Sequence, residues 1–199
     1  MTITAGLVKE LREKTGVGMM KCKQALQEAD GDLGVAEKLL RKHGEATAAK
    51  KADRATGEGL VSCYIHTGGK IGVMIEVNCE TDFAARSDDF QTLVRDIAMH
   101  VAAAAPRFVS RDEVNETDLD EEREIARDQA LSAGKPEAIV DKIVAGKMEK
   151  YFSQHCLLEQ PYVKDPDKTV NELLHEAVGR IGENMHIKRF TRYVLGEGN

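Results

Sequence analysis

The chain has 199 residues, 31% of them charged, with a net charge of −6 and no tryptophan. An acidic balance argues against nucleic-acid binding, which calls for a basic surplus, and so few aromatic rings leave little surface on which bases could stack. The length allows one sizeable core with a small second domain.

No apolar run reaches the length of a membrane span. The N-terminus lacks the basic region and long apolar stretch of a signal peptide, so a cytoplasmic protein is expected. Cys22, Cys63, Cys79 and Cys156 are scattered, with no Cys-x-x-Cys pair, which argues against metal and redox motifs. Free thiols in a reducing compartment are the expectation. No Ser/His/Asp set, metal-ligand spacing or Gly-x-x-x-x-Gly-Lys-Ser/Thr loop stands out. No enzyme is therefore read from these residues, and no cofactor is expected. His155 and Cys156 are adjacent, but adjacency alone gives them no shared hydrogen bond.

From the N-terminus, residues 4–14 read as a helix capped by Thr4, with Leu7, Val8 and Leu11 inward and Gly16 at its end. Residues 19–29 form a second helix, with Cys22, Ala25, Leu26 and Ala29 at helical spacing. Asp32 caps a third, whose apolar face is Val35, Ala36, Leu39 and Leu40. The result is a compact three-helix bundle over residues 1–54, joined through the polar run Lys50–Arg54 to a core domain over 55–199. The bundle holds 11 basic against 8 acidic side chains, a surplus of three, which leaves the rest at −9. A basic module on an acidic body suits a charged protein partner. Met19 and Met20 open the second helix about 100° apart, so both cannot face the core squarely, and methionine suits an adaptable contact.

Residues 59–79 predict a β-hairpin, with Gly68-Gly69 supplying positive φ at the turn. His66 sits near that tip. In the second arm Ile71, Val73, Ile75 and Val77 alternate with Gly72, Met74, Glu76 and Asn78. Then comes the corner Glu80-Thr81-Asp82-Phe83-Ala84-Ala85-Arg86, after which Ser87 can cap a helix opening with Asp88 and Asp89. By residue type alone Asp82 reads as an N-cap and Phe83 as a core side chain.

The helix over 88–104 carries Phe90, Leu93, Val94, Ile97, Ala98 and Val101 on one stripe. Residues 117–133 and 136–153 predict a helix pair turning at Gly134-Lys135-Pro136, with Pro136 at the first helical position. Residues 160–168 read as a loop. Thr169 caps a further helix bearing Val170, Leu173, Leu174 and Val178. Residues 187–195 predict a strand completing a three-stranded antiparallel sheet with the hairpin. The fold class is α+β.

Four stretches carry a resemblance. Leu11 to Leu26, through Thr15-Gly16-Val17-Gly18-Met19-Met20, is similar to the N-terminal module of bacterial elongation factor Ts, a bundle like ubiquitin-associated domains. Glu76 to Arg86 resembles that family's signature, although the family usually has Val where this chain has Ala84. Arg180 to Arg189, containing Ile181-Gly182, is the third, and Ser62 to Val73 resembles the family hairpin. The likeness spans essentially the whole chain and fits the short form of the family.

The resemblance implies a guanine nucleotide exchange factor acting on elongation factor Tu. It implies that Thr81, Asp82, Phe83 and Ala84 bind the partner and disturb its Mg²⁺, and that His66, Ile181 and Gly182 approach its phosphate loop. Lys9, Arg12, Met19 and Met20 of the N-terminal module would anchor it. Short members resemble half of a duplicated core, which implies a homodimer. A different reading of the same residues is a general adaptor whose bundle takes helical or ubiquitin-like partners. A third is an enzyme using Cys79 or Cys156.

Overall fold

The computed structural model describes residues 3–197. Its helices are α1 (Ala5–Thr15), α2 (Met19–Glu28), α3 (Leu33–Lys51), α4 (Asp82–Ala85), α5 (Asp88–Ala104), α6 (Glu116–Ser132), α7 (Glu137–His155) and α8 (Val170–Ile181). The strands are β1 (Glu58–Ile65), β2 (Ile71–Cys79), β3 (Pro161–Tyr162), β4 (Asp165–Thr169) and β5 (Met185–Val194). β1, β2 and β5 form a three-stranded antiparallel sheet in the order β1-β2-β5. The α+β class read from the sequence is what the chain adopts.

Two compact units make up the chain. One takes the residues up to Ser62, Ile75–Asp96 and Glu172–Lys188; the other takes Cys63–Met74, Ile97–Asn171 and the residues from Arg189 on.

In the first unit, the N-terminal helices form around Val8, Leu11, Cys22, Ala25, Leu26, Ala36 and Leu40, all buried. Their ends follow local chemistry. Thr4 Oγ1 accepts the Leu7 N–H at 3.3 Å, and Asp32 Oδ1 accepts the Val35 N–H at 2.8 Å, each capping its helix. Gly16, at φ 68°, ends α1 by returning its N–H to the Arg12 carbonyl. Two expectations need correction. Val35 points outward, 47% exposed, because it lies in the first turn of α3, one step round from the buried Ala36. And Lys50-Lys51, expected as part of a polar joining run, are helical: α3 runs 19 residues to Lys51, and its second half buries Gly44 and Ala48 rather than large side chains.

Gly44 is where α3 meets α8. A Cβ on Gly44 would lie 3.3 Å from the His175 carbonyl oxygen, and one on Gly179 would lie 3.0 Å from the Gly44 Cα. Lys21 Nζ donates to the Gly179 carbonyl at 2.8 Å, and Lys51 Nζ donates to that of Gly182. Both ammonium groups therefore sit at the negative end of the α8 dipole.

The second unit is built on the α6–α7 pair. Leu119, Ala126 and Ala130 of α6 share a core with Val140, Val144, Met148 and Tyr151 of α7. Pro136 precedes α7 as its cap residue instead of opening it. Arg111 lies over the Phe152 ring at 4.3 Å and binds both Glu149 and Glu159. The segment expected as a loop over 160–168 contains β3 and β4, paired antiparallel with Pro161 opposite Thr169. Buried Tyr162 anchors it, a tertiary contact that overrides the turn character of Asp165-Pro166-Asp167. Among the described residues no helix is long and apolar enough to cross a membrane.

Candidate functional site

The corner after β2 is a built feature of the first unit. Cys79 ends β2 buried, and its thiol donates to the Thr81 carbonyl at 3.2 Å. Thr81, in extended conformation at φ −130°, caps the four-residue α4, its hydroxyl oxygen accepting the Ala84 N–H at 3.2 Å. The cap is thus Thr81, and Asp82 stands one position further on, inside the first turn. Ser87 closes the corner, donating to the Ala84 carbonyl at 2.7 Å and accepting the Phe90 N–H at 3.3 Å as α5 begins.

This geometry sorts the corner's side chains. Ala84 and Ala85 face inward, at 3% and 9% exposure, while the Phe83 ring is 83% exposed. With Ala84 and Ala85 both turned inward, Phe83 lies about 100° from the first and about 200° from the second, which leaves it on the outer side of the turn. The reading of Phe83 as a core side chain is overturned on this point. Asp82 is exposed too, and Arg86 reaches back to it at 2.9 Å, one turn on.

The loop after α8 joins the same place. Ile181 ends the helix, and Gly182, at φ 87°, takes a backbone conformation that side-chain-bearing residues rarely adopt. Glu183 then accepts the Thr81 N–H at 3.0 Å and the Thr81 hydroxyl at 2.7 Å. In return Glu80 accepts the Asn184 N–H at 2.6 Å. The Asn184 amide donates to the carbonyls of Ala52 and Arg54, at 3.1 and 2.9 Å. Three remote segments are tied here: the end of the N-terminal bundle, the Phe83 corner and the Ile181-Gly182 loop.

The bond from the Asn184 N–H, with Arg54 nearby, holds the Glu80 carboxyl below its usual range. Burial first, and then the Glu183 charge, pushes the Cys79 thiol up. Burial pushes the Cys156 thiol up to about 11. Both shifts oppose thiolate formation, the wrong direction for a nucleophile, and they weigh against the enzyme reading. All four cysteines are free, with Cys63 exposed. Among the described residues no group of three or more His, Cys, Asp or Glu side chains could hold a metal.

The remaining candidates fall elsewhere. Met19 and Met20 are both exposed, at 43% and 76%, at the start of α2. Lys9 and Arg12 lie exposed on α1, with Lys9 3.6 Å from Glu13. His66 belongs to the second unit. It ends the β1 side of the hairpin, with its N–H on the Ile71 carbonyl and its Nδ1 3.1 Å from the Tyr64 hydroxyl. Gly68 and Gly69 turn the chain there, at φ 91° and 69°. Sequence reasoning missed Glu80, Glu183, Asn184, Lys21 and Lys51; nothing in a local pattern pairs residues a hundred positions apart.

A family model for elongation factor Ts matches residues 23–197. The chain belongs to the elongation factor Ts family. Elongation factor Ts of Heliobacterium modesticaldum is 58% identical, over 98% of this chain and 91% of that one. The family member from an Anaeromyxobacter species is 59% identical, over 98% and 90%. That from Geobacter sulfurreducens is 57% identical, over 100% and 92%. A relationship this even along both chains makes the protein a translation elongation factor of the Ts kind, and the corner and loop described above lie inside the matched region.

Proposed function

We propose that this chain is a guanine nucleotide exchange factor that binds elongation factor Tu in its GDP form and speeds GDP release. The observation that carries the reading is the Phe83 ring, 83% exposed on a capped turn. A single exposed apolar side chain is ordinary by itself; what supports the reading is that this ring stands on a turn fixed by its cap, so that it can act as a wedge.

The physics is linkage. A factor that prefers the nucleotide-free partner weakens nucleotide by the factor by which nucleotide weakens it, and each tenfold is about 1.4 kcal/mol. Phe83 enters an apolar gap in the partner and shifts the element beside it. Asp82 places a carboxylate where it disturbs the partner's Mg²⁺ and its waters. Thr81 caps the turn, and Ala84 forms its floor. Ile181 and Gly182, and from the hairpin tip His66, press toward the phosphate loop. Lys9, Arg12, Met19 and Met20 anchor the complex through a module spanning residues 1–54 on the core of residues 55–199, and mostly set affinity.

The reaction is an exchange of binding states, with no bond made or broken by this chain and no cofactor. The setting is the cytoplasm, with no direct nucleic-acid contact and no membrane. A second copy of the chain completes the half-core, making a homodimer. The exposed Val61, Cys63 and Ile65 along one side of β1 are consistent with such a cover.

Calorimetry of this chain against elongation factor Tu, nucleotide-free and GDP-loaded, tests the proposal. Tight binding to the empty form and much weaker binding to the GDP form is expected. Equal affinity for the two would contradict it, since a ligand indifferent to two states shifts neither.

A further inference from the structure

The turn that presents Phe83 is gripped from outside by one side chain. Glu183 Oε1 accepts a hydrogen bond from the Thr81 hydroxyl at 2.7 Å, and Oε2 accepts one from the Thr81 backbone N–H at 3.0 Å. A hydroxyl has one proton to give. With it committed to Glu183, the Thr81 oxygen turns its lone pairs toward the Ala84 N–H, at 3.2 Å. The carboxylate therefore sets the rotamer in which Thr81 caps α4.

A helix of four residues has no stability of its own, so its orientation comes from such outside bonds. Glu183 directly follows Gly182, and Glu80 directly precedes Thr81. Each acidic residue holds the backbone of the other segment: Glu183 on Thr81, Glu80 on Asn184.

We infer that Glu183 is a positioning residue for nucleotide exchange, locking the Phe83 turn to the Ile181-Gly182 loop so that both meet the partner as one rigid element. This rests on the exchange reading above and on Phe83 as the wedge. Glu183 is half-buried, and its bonds to Thr81 are solvent-facing, so they add little to global stability. The Glu80–Asn184 bond keeps the corner folded when Glu183 is replaced. What Glu183→Ala removes is the fixed aim of the ring.

The test compares Glu183→Ala, Glu183→Gln, Phe83→Ala and the Phe83→Ala/Glu183→Ala double variant. Release of fluorescent GDP from elongation factor Tu is followed at increasing factor concentration, with a thermal melt of each variant. Glu183→Ala is expected to lower the maximal exchange rate roughly three- to tenfold, with half-saturation and melting temperature little changed. Glu183→Gln keeps an acceptor oxygen and recovers part of the rate. In the Phe83→Ala background, Glu183→Ala costs nothing further, because the lost aim has no ring to act on. Additive losses, a wild-type rate for Glu183→Ala, or a rate that falls only in step with the melting temperature would each overturn the inference while leaving the exchange reading standing. A wild-type rate for Phe83→Ala would instead remove the wedge itself, and the role of Glu183 with it.

Discussion

Gly44 and Gly179 meet backbone to backbone, so close that a methyl group on Gly179 would stand 3.0 Å from the Gly44 Cα. Both lie inside helices, where alanine ordinarily gains stability over glycine by about 0.5–1 kcal/mol. Here the sign reverses. Gly179→Ala is expected to lower stability by about 1–3 kcal/mol, since backbone and not a flexible side chain must yield. Urea denaturation measures it, and an unchanged or raised midpoint would show that α3 and α8 separate at little cost.

Lys21 and Lys51 complete that docking from the charge side, both donating to carbonyls at the C-terminal end of α8. Lys51→Met keeps the side-chain bulk and removes the donor. It is expected to cost about 0.3–1 kcal/mol and to raise amide hydrogen exchange over residues 181–184 first. Uniform loss of protection across the unit would show instead that Lys51 supports the whole bundle.

Phe83→Ala removes an exposed ring, so the melting temperature is expected to stay within a degree or so. Stimulated GDP release should fall by more than the affinity for elongation factor Tu does. Stopped-flow rates beside calorimetric affinities separate the two. Equal losses would make Phe83 a gripping residue and not a wedge.

His100 gives the protein a pH dependence. It is fully buried, its Nδ1 accepts the Val163 N–H at 3.2 Å, and its Nε2 lies 2.9 Å from the Gln160 Oε1. The neutral imidazole with its proton on Nε2 satisfies both. Burial pulls its pKa below the ordinary 6.5, against a smaller opposing pull from Gln160. Below 6.5 the unfolded chain takes a proton that the folded one refuses. The stability His100 contributes is therefore whole above pH 6.5 and drains as pH falls below that value toward the depressed one. His155 and His186 are shifted the same way by burial, so the His100 ring resonance is the direct readout. Titration at or above 6.5 would contradict the buried neutral form.

Much of the fold was legible because its signals are local. The alternation Ile71–Val77 gave β2, and Thr4, Asp32 and Ser87 gave three helix starts through their own side chains. What escaped depends on contacts between distant residues. The second half of α3 has no large apolar side chain to announce it, only Gly44 and Ala48, whose smallness matters once α8 is present. The pair Pro161-Tyr162 is too short for periodicity. Asp82 reads as the cap by residue type, but the cap is Thr81; both types suit the position, and the choice turns on where the strand ends. Phe83 shows the limit most clearly. Residue type alone puts it inside, the likeness to a known signature puts it at a contact, and the inward-facing pair Ala84-Ala85 explains why it faces out. The bond from Glu183 to Thr81 crosses 102 positions, and no pattern in the sequence could have drawn it.

On the proposed reading, this chain drives GDP off elongation factor Tu by disturbing its Mg²⁺ and phosphate contacts. The most direct measurement is the release rate of fluorescent GDP from elongation factor Tu, with and without this chain, across a series of Mg²⁺ concentrations. Acceleration is predicted, largest when Mg²⁺ is plentiful and shrinking where its scarcity already speeds release. No acceleration at any concentration, from a folded sample, would contradict the account.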